Sequence, residues 1–142
     1  MRAKPSFAQR LSSLRDLPLL LIRLVLAYGF YGPASMKWKD IHGIGDWFMQ
    51  LHIPFPYISA YVAAVTEALG VVLLVLGLFV RYISIPLMIT MVVAIITVHW
   101  ANGFEAGDNG YEIPLYYILF LFTLFVFGSG RIGIDYFLER KR

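Results

Sequence analysis

Four ionisable side chains stand inside, or at the ends of, long apolar runs: Arg23, Glu67, His99 and Glu112, with Lys37 closing the first run. An unpaired charge at mid-bilayer costs at least about 2.5–3.5 kcal/mol, so such residues normally face the protein interior and find partners. Glu67 lies about ten residues from the nearer end of its run, roughly 15 Å deep at 1.5 Å per residue. No loop reaches that depth, so its partner must be another helix, water or a proton. Arg23 lies roughly 9 Å from the end of its run. Two readings of it stand side by side. It snorkels to the headgroups, because a helical side chain leans toward its own N-terminus, or it shares a buried polar network with Glu67.

Spacing gives these residues a common direction. Arg23, Phe30 and Lys37 recur every seven residues, with Ala27 and Ala34 between them, while Ala63, Glu67, Gly70, Leu74, Gly77 and Arg81 recur at steps of four and three. Each set forms one helical face, and the small residues on it allow close helix approach. A cavity follows as an expectation, with Lys37, His99 and Glu112 at the mouth and Glu67 at the floor. Arg23 is a second cation near it, and Leu24, Leu74 and Phe79 close the far side. Phe30, Tyr31, Trp38, Trp100 and Tyr116 are the expected aromatic lining. Imidazole is the ordinary proton carrier near neutral pH, which gives His99 that role. The alternative for His99 and Glu112 is a hydrated helix end above a capped loop. His42, His52 and His99, with Met36 and Met49, have donor chemistry that suits copper. However, no pair stands at i, i+4, so no metal centre is assigned. No phosphate loop, nucleophile elbow or dinucleotide fingerprint is present.

The elements that must hold these residues are transmembrane helices. The chain has 142 residues, 59% hydrophobic and only 15% charged, with a mean hydropathy of +0.70, against about 25% charged in soluble domains. Runs near the roughly 20 residues needed to cross a bilayer predict an all-α, polytopic four-helix membrane bundle forming one domain over 1–142. Its helices span about 17–36, 57–79, 82–100 and 111–127. The first run is too long for a cleavable signal and should remain as an anchor. Between the first two spans, Trp38, Trp47 and Phe48 suggest a short element in the headgroup region, and Pro54 and Pro56 forbid one continuous helix. The tight turn between the second and third spans falls at Arg81, and the tail from Arg131 is amphipathic and basic.

Arg2, Lys4, Arg10, Arg15, Arg81, Arg131, Arg140, Lys141 and Arg142 fall on one side of such a bundle, and Lys37 and Lys39 on the other. The positive-inside rule then puts both termini in the cytoplasm. The net charge of +3 reads as membrane orientation, with no nucleic-acid partner. The absence of cysteine excludes disulfides and thiolate chemistry by this chain itself.

The chain resembles the DoxX-like family of small four-helix membrane proteins over about residues 20–137. The resemblance rests on Arg23 and Lys37, on Glu67-x-x-Gly70 followed by Leu76-Gly77-Leu78 and Arg81, and on Gly128-Ser129-Gly130-Arg131 with Asp135-Tyr136. His99-Trp100-Ala101-Asn102-Gly103 and Asn109-Gly110-Tyr111-Glu112 look more like its HvfX-like subgroup, although the loop between them is shorter than in many of those relatives. The resemblance implies an accessory of the cytoplasmic (inner) membrane in a redox-linked process: quinone, sulfur or thiol chemistry, or maturation of copper-binding peptides. Quinone is the favoured cofactor and copper the lesser one, and catalysis, as an oxidoreductase subunit, is left open. The other readings are a non-catalytic scaffold that holds a peptide or protein partner, and a small transporter. Beyond the lipid bilayer, the sequence leaves the partner and any homo-oligomer open.

Overall fold

The computed structural model describes residues 6–141. Arg2, Lys4 and Arg142, three of the basic residues used for orientation, lie outside them. Among the described residues every regular element is helical. A first short helix, α1 (Phe7–Ser12), starts at a capping box in which the Ser6 hydroxyl accepts from the Gln9 N–H while the Gln9 side chain accepts from the Ser6 N–H. The long helix α2 (Asp16–Lys39) follows and runs about 36 Å at 1.5 Å per residue. It ends at Asp40, whose carboxylate accepts from Gly43 N at 3.0 Å and so starts α3 (Ile41–Gln50). This is the expected short element. It lies against the next helix with Gly45 buried, so close to Tyr57 that a methyl at Gly45 would meet the ring.

Pro56 opens α4 (Pro56–Leu76) from the first helical turn, where its missing N–H costs nothing. Gly77, at φ +65°, ends α4 in the left-handed conformation, the usual helix stop for a residue without Cβ. The reversal therefore falls at residues 77–79. Arg81 belongs to the first turn of α5 (Val80–Ala94). That helix continues as a π-helical turn (Ile95–His99) and a 3₁₀ turn (Trp100–Asn102). After a loop with a 3₁₀ turn at Ala106–Asp108 come α6 (Glu112–Phe127) and the short α7 (Ile134–Glu139).

Three stretches are long and apolar enough to cross a membrane: α1 with α2, α4, and α5 with its continuation to Asn102. The 16 residues of α6 extend about 24 Å, short of the roughly 30 Å hydrocarbon core, so the expected fourth crossing does not follow from its length. The four long helices pack α2 on α4, α4 on α5 and α5 on α6, with α6 returning to α2. Phe30 meets Tyr117 edge-on, with ring centroids 5.4 Å apart, where Gly29 has no side chain to collide with the Tyr117 hydroxyl. The core is Leu26, Phe30, Leu74, Leu87, Leu121 and Leu124, all essentially buried. The outward faces carry exposed apolar side chains such as Leu21, Val25, Val72, Ile96 and Phe122, as a lipid-facing surface would. On α2 the buried face holds Arg23, Ala27, Phe30 and Ala34, as expected. On α4 it holds Ala60, Ala64, Glu67, Gly70 and Leu74, so Ala63 is displaced from the tight face.

A clamp holds one end of the bundle. The Asp135 carboxylate accepts from Phe79 N at 2.7 Å and Val80 N at 3.1 Å, capping α5, while Asp135 N donates to Gly77 O at 2.9 Å. Asp16 at the start of α2 accepts from Arg131 N at 2.9 Å. These contacts tie the α4–α5 turn and the start of α2 to the segment that follows α6.

Candidate functional site

Glu67 pairs with Lys37. The Lys37 ammonium donates to both carboxylate oxygens, at 2.9 and 3.1 Å. Glu67 is only 2% exposed, and the Lys37 side chain 13%. The direction of helical side chains explains the match. They lean toward the N-terminus of their own helix, and α2 and α4 run antiparallel. Lys37 therefore reaches into the bundle from its end of α2, and Glu67 reaches back toward that end along α4. The same rule separates Arg23 from Glu67, since Arg23 leans the opposite way.

Arg23 is fully buried. Its guanidinium donates to Leu74 O at 3.0 Å, to Val75 O at 3.5 Å and to Ile132 O. Nε is buried without a partner. Both expectations for this residue are corrected: it neither pairs with Glu67 nor snorkels. It sits on the carbonyl end of α4, where the helix dipole favours a cation, and ties that end to the segment before α7. Gly77 makes the room, because a methyl there would run into the guanidinium and the Gly133 Cα.

The Lys37–Glu67 pair faces a cleft of about 910 Å³ bounded by α2, α3, α4 and α5. Its walls are almost wholly apolar. The side chains with oxygen or basic nitrogen are Lys37, Ser59, Glu67, Thr90, Thr97 and His99. The helices α4 and α5 meet tightly where Gly70 touches Leu87, and the cleft is lined by α4 residues before that contact and α5 residues after it. Glu67 and Thr90, one step from that contact on each helix, therefore mark the floor. Beyond that contact Leu87 and Leu74 are fully buried in the core, whereas Phe79 and Leu24, expected to close the far side, are exposed.

Lys37, Glu67 and His99 thus border one cleft, and Glu112 and Arg23 do not. Glu112 accepts from Ala106 N at 2.9 Å and from the Tyr116 hydroxyl at 2.9 Å. His99 Nδ1–H donates to Asn109 O at 2.8 Å, and the Asn102 amide reaches the same carbonyl at 3.1 Å. His99, Asn102 and Glu112 therefore spend these hydrogen bonds holding their own loop and its flanking turn.

The expected aromatic lining is also corrected. Phe30 is in the core and Tyr31 is exposed. Trp38 packs on Tyr61, Trp100 stacks on Tyr111, and Tyr116 holds Glu112. Trp47, Phe48 and Phe55 line the cleft instead. Trp47 and Phe48 belong to the short element α3, and they reach the cleft because α3 packs on α4. The recurrence of Thr90, Ala94 and Thr97 at steps of four and three was a readable sign of the α5 wall. His42 faces Tyr57, with ring centroids 6.3 Å apart, while His52 lies just after α3 at φ +59°. Among the described residues no three His, Cys, Asp or Glu side chains group as metal ligands.

Comparison with known proteins adds the family. Residues 18–100, more than half of the chain, match the DoxX family model. A protein of Haemophilus influenzae is 30% identical over 130 residues, covering 86% of this chain and 83% of its own. A second from the same organism is 33% identical over 129 residues, covering 82% and 87%. Both are described as uncharacterized proteins. No solved structure matches. Nothing in these matches supports the narrower HvfX-like likeness of the 99–112 segment. The apolar helices and the match over α2 to His99 lead to one conclusion: the chain is a membrane protein and belongs to the DoxX family.

Proposed function

We propose that this protein is a membrane accessory of a redox-linked process that holds a mainly apolar ligand, of quinone type, in the cleft between α2, α4 and α5. One observation carries this reading: a buried Lys37–Glu67 ion pair at the inner end of an apolar cleft of about 910 Å³. Ligand sites are commonly concave and apolar, about 300–1,000 Å³, with a few converging polar groups that fix orientation. Intramembrane ions are costly enough to mark function by default. Lys37 and Glu67 would orient the ligand's polar end, and His99 would exchange protons with it. Trp47 and Phe48 would cover it. The reading takes α6 as a fourth crossing, with bilayer thinning and its flanking residues making up the missing length. Both termini then face the cytoplasm, across the inner membrane of the cell.

Organic extraction of the purified protein, followed by mass spectrometry, tests it. A quinone-type amphiphile should come out of the native protein and be depleted in folded Glu67→Gln and Ala94→Phe variants, but not in Lys39→Ala. An empty cleft together with a stoichiometric protein partner would refute it in favour of a scaffold.

A further inference from the structure

The hydrogen bonds already made inside the cleft decide which ligand head it can satisfy. The Thr90 hydroxyl donates to Pro86 O at 3.0 Å, the Thr97 hydroxyl to Val93 O at 2.7 Å and the Ser59 hydroxyl to Pro54 O at 2.6 Å. Each hydroxyl hydrogen is therefore spent, and each oxygen keeps acceptor capacity. The His99 Nδ1–H is spent on Asn109 O, so the ring has no Nδ1 donor to offer a ligand. Glu67 accepts two bonds from Lys37, and a carboxylate has about four acceptor positions. Against these stands one unspent donor beside the floor, the third N–H of Lys37. The other N–H among the lining side chains is the indole of Trp47, a residue that is 41% exposed.

The opening is equally specific. Ile58 and Val62 of α4, and Ile89 and Val93 of α5, line the cleft and are also exposed. Val62 lies about 9 Å along α4 from its start. The gap between α4 and α5 therefore opens sideways, at the depth of lipid chains, and not only at the end of the bundle.

We infer that the cleft takes a single-chain amphiphile from the bilayer whose aromatic head carries a free hydroxyl, a phenol or hydroquinone and not the carbonyl form. The O–H donates into the acceptor-rich floor and its oxygen accepts the last Lys37 N–H, while the chain leaves between α4 and α5. A head with carbonyls alone would leave Glu67 and the Thr90 oxygen at the floor facing acceptors. This inference rests on the cleft being a ligand site.

Three labelled probes of one shape test both levels: 4-dodecylphenol, its methyl ether 4-dodecylanisole, and dodecylbenzene. Each is equilibrated with the full chain in lipid nanodiscs, with empty nanodiscs as the blank. The phenol should bind saturably, and the ether roughly 10- to 100-fold more weakly, the value of one hydrogen bond to a charged partner. Phenol binding should be lost in Ala94→Phe, or in Ala63→Phe if the first variant does not fold. Equal affinity for phenol and ether would overturn the hydroxyl-head inference while leaving a ligand cleft. No saturable binding of any probe would overturn the ligand cleft itself. Phenol binding that persists in a folded, cleft-filled variant would overturn the location.

Discussion

Replacing Lys37 by Met should strand the Glu67 carboxylate, 2% exposed and eleven residues into α4, beyond the reach of loop water. Removing one member of a buried ion pair costs about 3–5 kcal/mol, because the other charge keeps its desolvation penalty. The reverse change is milder. Glu67→Gln leaves an ammonium on a flexible stem near the end of α2, 13% exposed and able to swing toward water, so about 1–2 kcal/mol is expected. The double variant Lys37→Met/Glu67→Gln removes both charges, and its loss should fall short of the summed single losses by about 1–3 kcal/mol, the range for groups in direct contact. Equilibrium unfolding in mixed micelles, followed by helical circular dichroism, measures all four corners of the cycle. The control cycle is Arg23→Leu with Glu67→Gln. Arg23 bonds to Leu74 O, and the seven residues from there to Glu67 amount to about 10 Å, so these losses should add to within about 0.5 kcal/mol. Additivity for Lys37 with Glu67, or coupling for Arg23 with Glu67, would refute the assignment of partners.

Gly77→Ala should destabilise by about 1–3 kcal/mol, since the new methyl combines a left-handed φ of +65° with a clash against Arg23, and limited proteolysis should then cut the segment 131–141 first. Asp135→Asn should weaken the same end by about 1 kcal/mol by thinning the cap on Phe79 and Val80, read as a lower thermal midpoint with the cleft's ligand binding retained. Gly70→Leu should cost about 1–3 kcal/mol by overpacking against Leu87, seen in the same micelle unfolding assay. Reporter fusions after Arg81 and after the C-terminus should report one side of the membrane and a fusion at Gly107 the other. Agreement between the Gly107 and C-terminal fusions would eliminate α6 as a crossing.

The sequence by itself determined the class of this protein. Long apolar runs with few charges can only be helices in lipid, because a helix satisfies its own backbone hydrogen bonds. Pro56 and Gly77 bracket α4 for local backbone reasons. The seven-residue recurrence of Arg23, Phe30 and Lys37 was enough to say which face of α2 turns inward, because helical period depends on the chain alone. Depth along a helix was legible in the same way, and so Glu67 stood out.

Partnership was decided only by the tertiary structure. Arg23, Lys37 and Glu67 share inward faces, so periodicity does not distinguish the Arg23–Glu67 pairing from Lys37–Glu67. The axial register of α2 against α4 does, and that register is set where the buried faces of the two helices pack, a property of the pair and not of either sequence window. The opposed lean of side chains on antiparallel helices then brings Lys37 to Glu67 and sends Arg23 to the Leu74 carbonyl. The cleft walls were hidden for a related reason. Trp47 and Phe48 become lining because α3 folds back over α4, and Trp100 and Tyr116 are lost from it because the 95–112 segment closes on itself through Asn109 O and Glu112. Local sequence sets period and termini, and which side chains finally meet depends on the packing distances between helices, which no single stretch of the chain encodes.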